Sequence, residues 1–301
     1  MTLAYGIQLP VQAQSTYFVE EWEKAAGRAE LEQVARACDE SGFAYVAVCD
    51  HVAIPRNKTE TMNTTWYDTI ATLGFLAGVT STTKLLSHVY VPAYRHPLAT
   101  AKAFATIDAL SRGRAILGVG AGHVEEEFDL LGIPFADRGR ITDEAVDEIR
   151  AALADEWSAG DFGQRPRPVQ MGGVPIWIGG SSAAAIRRAA ERGDGWLPQG
   201  TPKKEMPAAI ERLHELRVTA GRDWKSFTIG AIAPFLWVGE KTWDTGEQCL
   251  AGPPDKIASY LSQYDDMGVH QVQVRFRSRS AGELCDQIRS FGADVAPLLE
   301  G

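Results

Sequence analysis

Histidines stand at positions 51, 88 and 123, each at or just past the end of a short apolar run, and Asp50 immediately precedes the first. An imidazole changes protonation near neutral pH, so a histidine at the end of a run that ends in a cleft is a candidate general acid or base. Asp50 beside His51 is a candidate for fixing its tautomer, if the two side chains touch. Three histidines also invite a metal-ligand reading, although no H-x-H pattern accompanies them, and a lone strand-end histidine is more often a hydrogen-bonded core or cleft residue. A different chemistry is written in "VPIWIGGSSAAAIRRAAERGDGW", residues 174–196. There an apolar run stops at Gly179-Gly180-Ser181-Ser182 and an alanine-rich amphipathic stretch begins. Glycines let backbone N–H groups point outward, and a helix N-terminus favours an anion. A plain strand-to-helix turn with a serine N-cap fits the same four residues.

These groups need elements to position them. Strand-like runs alternate with helical periodicity along the whole chain: "LAYGIQL", "YVAVCD", "KLLSHVYV", "RAILGVG", "VPIWIGG", "GWLPQG", "FTIGAIAPFLWV" and "VHQVQVRF", each with a helical stretch after it. Eight βα units imply parallel strands, and at 301 residues they predict one closed (β/α)8 barrel over residues 1–301 rather than an open sheet. In such a barrel, ligands bind at the C-terminal strand ends. Those ends carry Gln8, Asp50-His51, His88-Val89-Tyr90, Gly118 to His123, Gly179 to Ser182, Trp196 and Gln199, then Arg275 and Arg277. The 11–26 and 54–66 stretches are long enough to cover that face, and Tyr17, Trp22, Met62 and Trp66 would give it aromatic and apolar walls.

The formal net charge of −9 argues against nonspecific nucleic-acid or anionic-membrane partners. Four cysteines with no C-x-x-C spacing suggest neither a disulfide framework nor a zinc site. No apolar run reaches the roughly 20 residues a membrane-spanning helix needs, and "MTLAYGIQLP" lacks the regions of a signal peptide. A cytoplasmic protein is expected. "GVGAGH" (118–123) looks like a dinucleotide fingerprint but follows a fourth strand and precedes "EEE" (125–127), which would repel a pyrophosphate. Lys203-Lys204 is a candidate for an anionic ligand tail, and Trp196 for the cleft wall.

The blocks "YRHPLATAKAFATIDALSRGRAILGVGAG" (94–122), "EEEFDLLGIPFADRGRITDEAVDEIR" (125–150) and "VPIWIGGSSAAAIRRAAERGDGW" (174–196) resemble the luciferase-like monooxygenase superfamily, in particular its branch of deazaflavin (coenzyme F420)-dependent oxidoreductases. The resemblance implies a (β/α)8 barrel, commonly homodimeric, that binds F420 or FMN over its mouth. It implies that amides around Gly179, Gly180, Ser181 and Ser182 hold the coenzyme phosphate. It also implies a cis peptide at His88-Val89 behind the ring, with Ala121 and Gly122 near the ring. Asp50-His51 matches the Asp-His pair of deazaflavin-dependent sugar-phosphate dehydrogenases. Where those enzymes carry a catalytic glutamate, this chain has His123, which weakens a sugar-phosphate assignment.

The resulting expectation is an F420-dependent oxidoreductase passing a hydride between coenzyme and a small organic substrate, with His51 as acid/base, Asp50 as its support and His123 on the substrate side. The alternative is a two-component FMN monooxygenase fed reduced flavin by a separate reductase and using O2. A metal-dependent hydrolase built on His51, His88 and His123, and a noncatalytic flavin-binding protein, are further rivals.

Overall fold

The computed structural model describes residues 3–16 and 18–299; Tyr17, expected to help wall the mouth, lies outside them. The elements run β1 (Ala4–Gln8), α1 (Arg28–Glu40), β2 (Tyr45–Val48), α2 (Thr59–Met62), α3 (Thr69–Val79), β3 (Lys84–Ser87), α4 (Pro97–Ser111), β4 (Ala115–Val119), α5 (Glu125–Leu130) and α6 (Arg138–Ala154). They continue with β5 (Ile176–Gly179), α7 (Ala183–Arg192), β6 (Gly195–Leu197), α8 (Met206–Thr219), β7 (Thr228–Val238), β8 (Leu250–Gly252), α9 (Pro254–Asp265), β9 (Gln271–Phe276) and α10 (Ala281–Ser290). Every strand pairing among them is parallel. β1 to β6 pair in sequence order, β6 pairs β7, β7 pairs β9 and β9 pairs β1. The sheet therefore closes into an eight-stranded barrel wrapped by helices.

Alternation along the strands makes two cores. Tyr45, Ala47, Leu86, Ile116, Trp177 and Leu197 fill the barrel interior, while their neighbours, such as Val46, Val48, Leu85, Leu117 and Ile178, pack outward against the helices. Trp196 belongs to the outer set and is fully buried, with its indole N–H donating to Gly180 O at 2.9 Å. It does not face the cleft, because residue 196 sits one position out of phase with the inward-pointing Gly195 and Leu197.

The strand pattern differs from the sequence expectation at one place. The run "VHQVQVRF" is the barrel's eighth strand but the chain's ninth, because Leu250–Gly252 adds a short β8 to the upper half of β7. Three residues are too few for a period to register. Pro234 interrupts β7 between its two halves, where the register against β9 shifts between Ile232 and Phe235. Proline lacks an N–H for the ladder, so a bulge falls there.

Candidate active site

The C-terminal strand ends open into a cleft of about 830 Å³. His88, Val89, Ala121, Gly122, Gly179, Gly180, Ser181 and Ser182 all line it, together with Asp50, His51 and His123.

Its floor is built from glycines that make room for Val89. The His88-Val89 peptide bond is cis. A Cβ on Gly179 would fall 2.3 Å from Val89 Cγ1, and one on Gly120 2.5 Å from Val89 Cγ2. Neither position tolerates a side chain while Val89 stays where it is. The far wall is the turn from β5 into α7. Gly180 has φ +97°, a conformation that favours glycine. Ser182 caps α7, its hydroxyl accepting from the Ala185 N–H at 3.2 Å. The Ser181 hydroxyl donates to Gln199 O and accepts from Thr201. Arg138 and Arg188 line the same end of the cleft. Arg188 is held by Asp143, and Arg138 lies over the Phe135 ring. Lys203 takes no part: its ammonium binds Tyr260 O and Gln263 Oε1 and rests on the Tyr260 ring.

The opposite wall carries the histidines. His51 Nδ1 lies 2.7 Å from Glu127 Oε2, a carboxylate whose other oxygen accepts the Val52 and Ala53 amides at 2.7 and 3.1 Å. Tyr94 also donates to Glu127. Burial raises the carboxyl pKa, but the bond and charge of His51 and the two amides outweigh it and hold Glu127 below its usual range. An ionised carboxylate only accepts, so Nδ1 carries the proton and Nε2 of a neutral ring is left as the reactive nitrogen. Trp66 packs on His51 with ring centroids 4.3 Å apart, and His123 stands edge-on to it at 5.6 Å. Burial, and then the nearness of His51, push the His123 imidazole below its usual pKa.

Asp50 plays a different part from the one expected. Arg95 grips it in a two-pronged bond, at 2.7 and 2.9 Å, and it accepts from the Val91 amide and the Thr69 hydroxyl. Its side chain is sealed from solvent. Asp50 is therefore corrected from the partner of His51 to a positioning residue that ties the end of β2 to the segment after β3 and to α3. Past the end of β2 the two neighbours diverge, Asp50 toward Arg95 and His51 toward Glu127. The true partner is Glu127, within the "EEE" run (125–127) whose composition by itself signals only repulsion of a pyrophosphate. A glutamate in the first turn of α5, three residues after Val124, would have been found only by knowing how α5 lies over the mouth.

Nor do the histidines form a metal centre. Among the described residues no group of three or more His, Cys, Asp or Glu side chains is arranged to hold a metal ion, so the hydrolase reading has no ligand set. His88 is buried in the barrel's upper interior, and burial together with the Arg275 charge lowers its pKa to about 4. A histidine lowered in the folded state loses stability as pH falls from the unfolded value of about 6.5 toward 4, roughly 3 kcal/mol over the window. Glu23, raised by burial to about 6, titrates with the opposite sign there. The readout is therefore the difference between the protein and His88→Gln: urea unfolding at pH 7 and pH 4.5 is expected to show a smaller acid loss in the variant.

A parallel (β/α)8 barrel with a cleft at its C-terminal strand ends, glycine-floored and flanked by a carboxylate–histidine pair, is the setting in which barrels of this class hold small molecules. Residues 6–243 match the family model described as luciferase-like monooxygenase, and the chain belongs to that family. It is 31% identical over 206 residues to 5,10-methylenetetrahydromethanopterin reductase of Methanolobus tindarius, covering 67% of this chain and 59% of that protein. The fold is shared with the coenzyme F420-dependent tetrahydromethanopterin reductase of Methanopyrus kandleri, with TM-score 0.73, 21% identity and 99% of each chain covered. It is also shared with the oxygenating constituent of 3,6-diketocamphane monooxygenase of Pseudomonas putida in complex with FMN, with TM-score 0.75, 13% identity and 99% of each chain covered. Among the described residues no helix is long and apolar enough to cross a membrane.

Proposed function

We propose that the protein is an F420-dependent oxidoreductase acting on a small organic substrate. The observation that carries this is the cleft itself: a Gly179–Ser182 turn opening a helix on one wall, and His51 held by Glu127 at 2.7 Å on the other. The site fits a phosphate-bearing, flat-ringed coenzyme. The Gly180 turn, the first amides of α7 and the Arg138 and Arg188 guanidinium groups would hold the phosphate. Val89, Ala121 and Gly122 would lie against the ring. When bound, such a ring supplies a carbon that accepts or releases hydride.

The chain's own residues do the rest. Glu127 fixes the His51 ring and its tautomer, which leaves Nε2 to take or return the substrate proton. His123, open to solvent at the mouth and beside His51, is placed to hydrogen-bond the substrate's polar group. Trp66, Met62 and Phe18 line the cleft and keep water from the reacting atoms. The F420-dependent structural neighbour supports the choice of coenzyme. The FMN-bound neighbour supports the second reading, a flavin monooxygenase supplied by a separate reductase.

Titrating the coenzyme-free protein with F420, FMN and their reduced forms, read by tryptophan fluorescence, separates the two. F420 is expected to bind at least tenfold tighter than FMN. Preference for reduced FMN with oxygen-dependent turnover selects the second reading, and tight binding without turnover across many substrates selects a noncatalytic flavin carrier. In the same titration Gly179→Ala is expected to lose binding to whichever coenzyme is used, because its Cβ displaces Val89. Homodimerisation, expected from the resemblance, is read alongside by light scattering.

A further inference from the structure

Among the described residues, the last strand of the barrel carries a cation without a counter-charge. Gln271, Gln273 and Arg275 alternate along β9, and their neighbours Val272, Val274 and Phe276 pack in the outer core. The three polar side chains therefore project into the barrel, in line, toward the mouth. Among the described residues no carboxylate lies within ion-pair range of Arg275, and no hydrogen bond uses its guanidinium. This sets it apart from the other arginine at the end of that strand, Arg277, which binds Glu20 at 3.1 Å.

On its barrel-interior side Arg275 faces polar, uncharged side chains. The Tyr45 hydroxyl is buried with no hydrogen-bond partner, and the side chains of His88 and Gln273 are buried close to one another beside it. A cavity of about 60 Å³ adjoins the guanidinium. Gln8 and Phe18 line both that cavity and the large cleft, so the cation stands directly behind the cleft wall, with the Phe18 ring 4.0 Å from it. Two carboxylates reach the small cavity, and both are occupied. Glu20 is bound by Arg277, and Glu23 accepts the Val11 and Glu20 amides. An unpaired, half-buried guanidinium is costly in a resting protein and is well matched to a planar anion that arrives with the ligand.

We infer that Arg275 is the anchor for a carboxylate on the substrate, bound through the guanidinium fork beside Gln8 and Phe18, with the substrate's reacting end directed up toward His51 and His123. The inference rests on reading the cleft as a substrate site and deepens it: the substrate class is a small organic acid. The cavity is too small for a sugar and holds about two waters, which suits a carboxylate group and little more.

The test uses benzoate and its uncharged isostere benzamide as probes, with the full-length protein, coenzyme-free and coenzyme-loaded, by calorimetric titration. Benzoate is expected to bind at least tenfold tighter than benzamide in one form or both, and more weakly as salt rises. Arg275→Gln is expected to erase that discrimination while its melting temperature stays level or rises by a few degrees, since an uncompensated cation has been removed. Arg275→Lys, which keeps the charge without the planar fork, is expected to retain part of it. Equal binding of the two probes in both forms overturns the anchor, as does Arg275→Gln that still prefers benzoate. A lowered melting temperature with discrimination intact also overturns it and makes Arg275 a structural residue. The F420 and FMN titrations of the same samples keep the two questions apart: benzoate selectivity in a protein that binds neither coenzyme retains the anchor and removes the oxidoreductase reading.

Discussion

His51→Ala is expected to lower kcat by about 10²- to 10⁴-fold, the range that a positioned acid or base contributes. The physical basis is the geometry around the ring. Glu127 accepts from Nδ1, two backbone amides pin Glu127, and Trp66 packs edge-wise against the imidazole. The alanine variant also leaves part of a buried carboxylate unpaired, so a loss of about 1–3 kcal/mol of stability accompanies it. His51→Asn separates the two effects. Its amide can still donate to Glu127 but has no nitrogen able to take a proton, so stability is expected to recover while kcat stays low. Glu127→Gln is expected to be milder, about tenfold in kcat, because it loosens the ring without removing it. The measurement is single-turnover absorbance of the coenzyme, with thermal scans on the same samples. Activity within a factor of two of the unaltered protein in both His51 variants removes His51 from the mechanism.

The second large effect falls on stability. Asp50→Ala is expected to cost about 3–5 kcal/mol, the usual penalty for breaking a buried ion pair by removing one partner. At about 2–4 °C per kcal/mol for a chain approaching this size, melting should fall by roughly 10 °C. The Val91 amide and one arm of Arg95 lose their acceptor outright, while the other arm keeps Asp68 and the Thr69 hydroxyl keeps Cys49 O. The segment carrying the His88-Val89 bond is held at one end by that Val91 contact, so coenzyme affinity should fall with stability. Asp50→Asn keeps an acceptor and is expected to lose less than half as much. An Asp50→Ala protein with unchanged melting temperature and no turnover would return Asp50 to direct chemistry.

Much of the architecture is legible in the chain itself. The period-two runs and the amphipathic stretches after them count out eight βα units, and parallel pairing leaves closure as the economical arrangement at this length. The Gly179–Ser182 turn is equally local. A strand that ends in glycines before a serine-capped helix places those amides at the mouth whatever else happens, because cap and turn are decided by neighbours in sequence.

What the sequence does not contain is the partnership between distant residues. Asp50 and His51 are adjacent, which suggests a pair, yet the fold sends one side chain to Arg95 and the other to a glutamate 76 positions away. Glu127 looks like one charge in an acidic run until α5 is laid across the barrel's mouth. Arg275 and Arg277 look alike at the end of one strand, and only the fold gives Arg277 a carboxylate, Glu20, while no carboxylate among the described residues reaches Arg275. Periodicity fixes the side of an element on which a residue sits. The identity of the group facing it depends on how helices and loops settle over the closed barrel, and that is set by packing between parts of the chain that no local pattern connects.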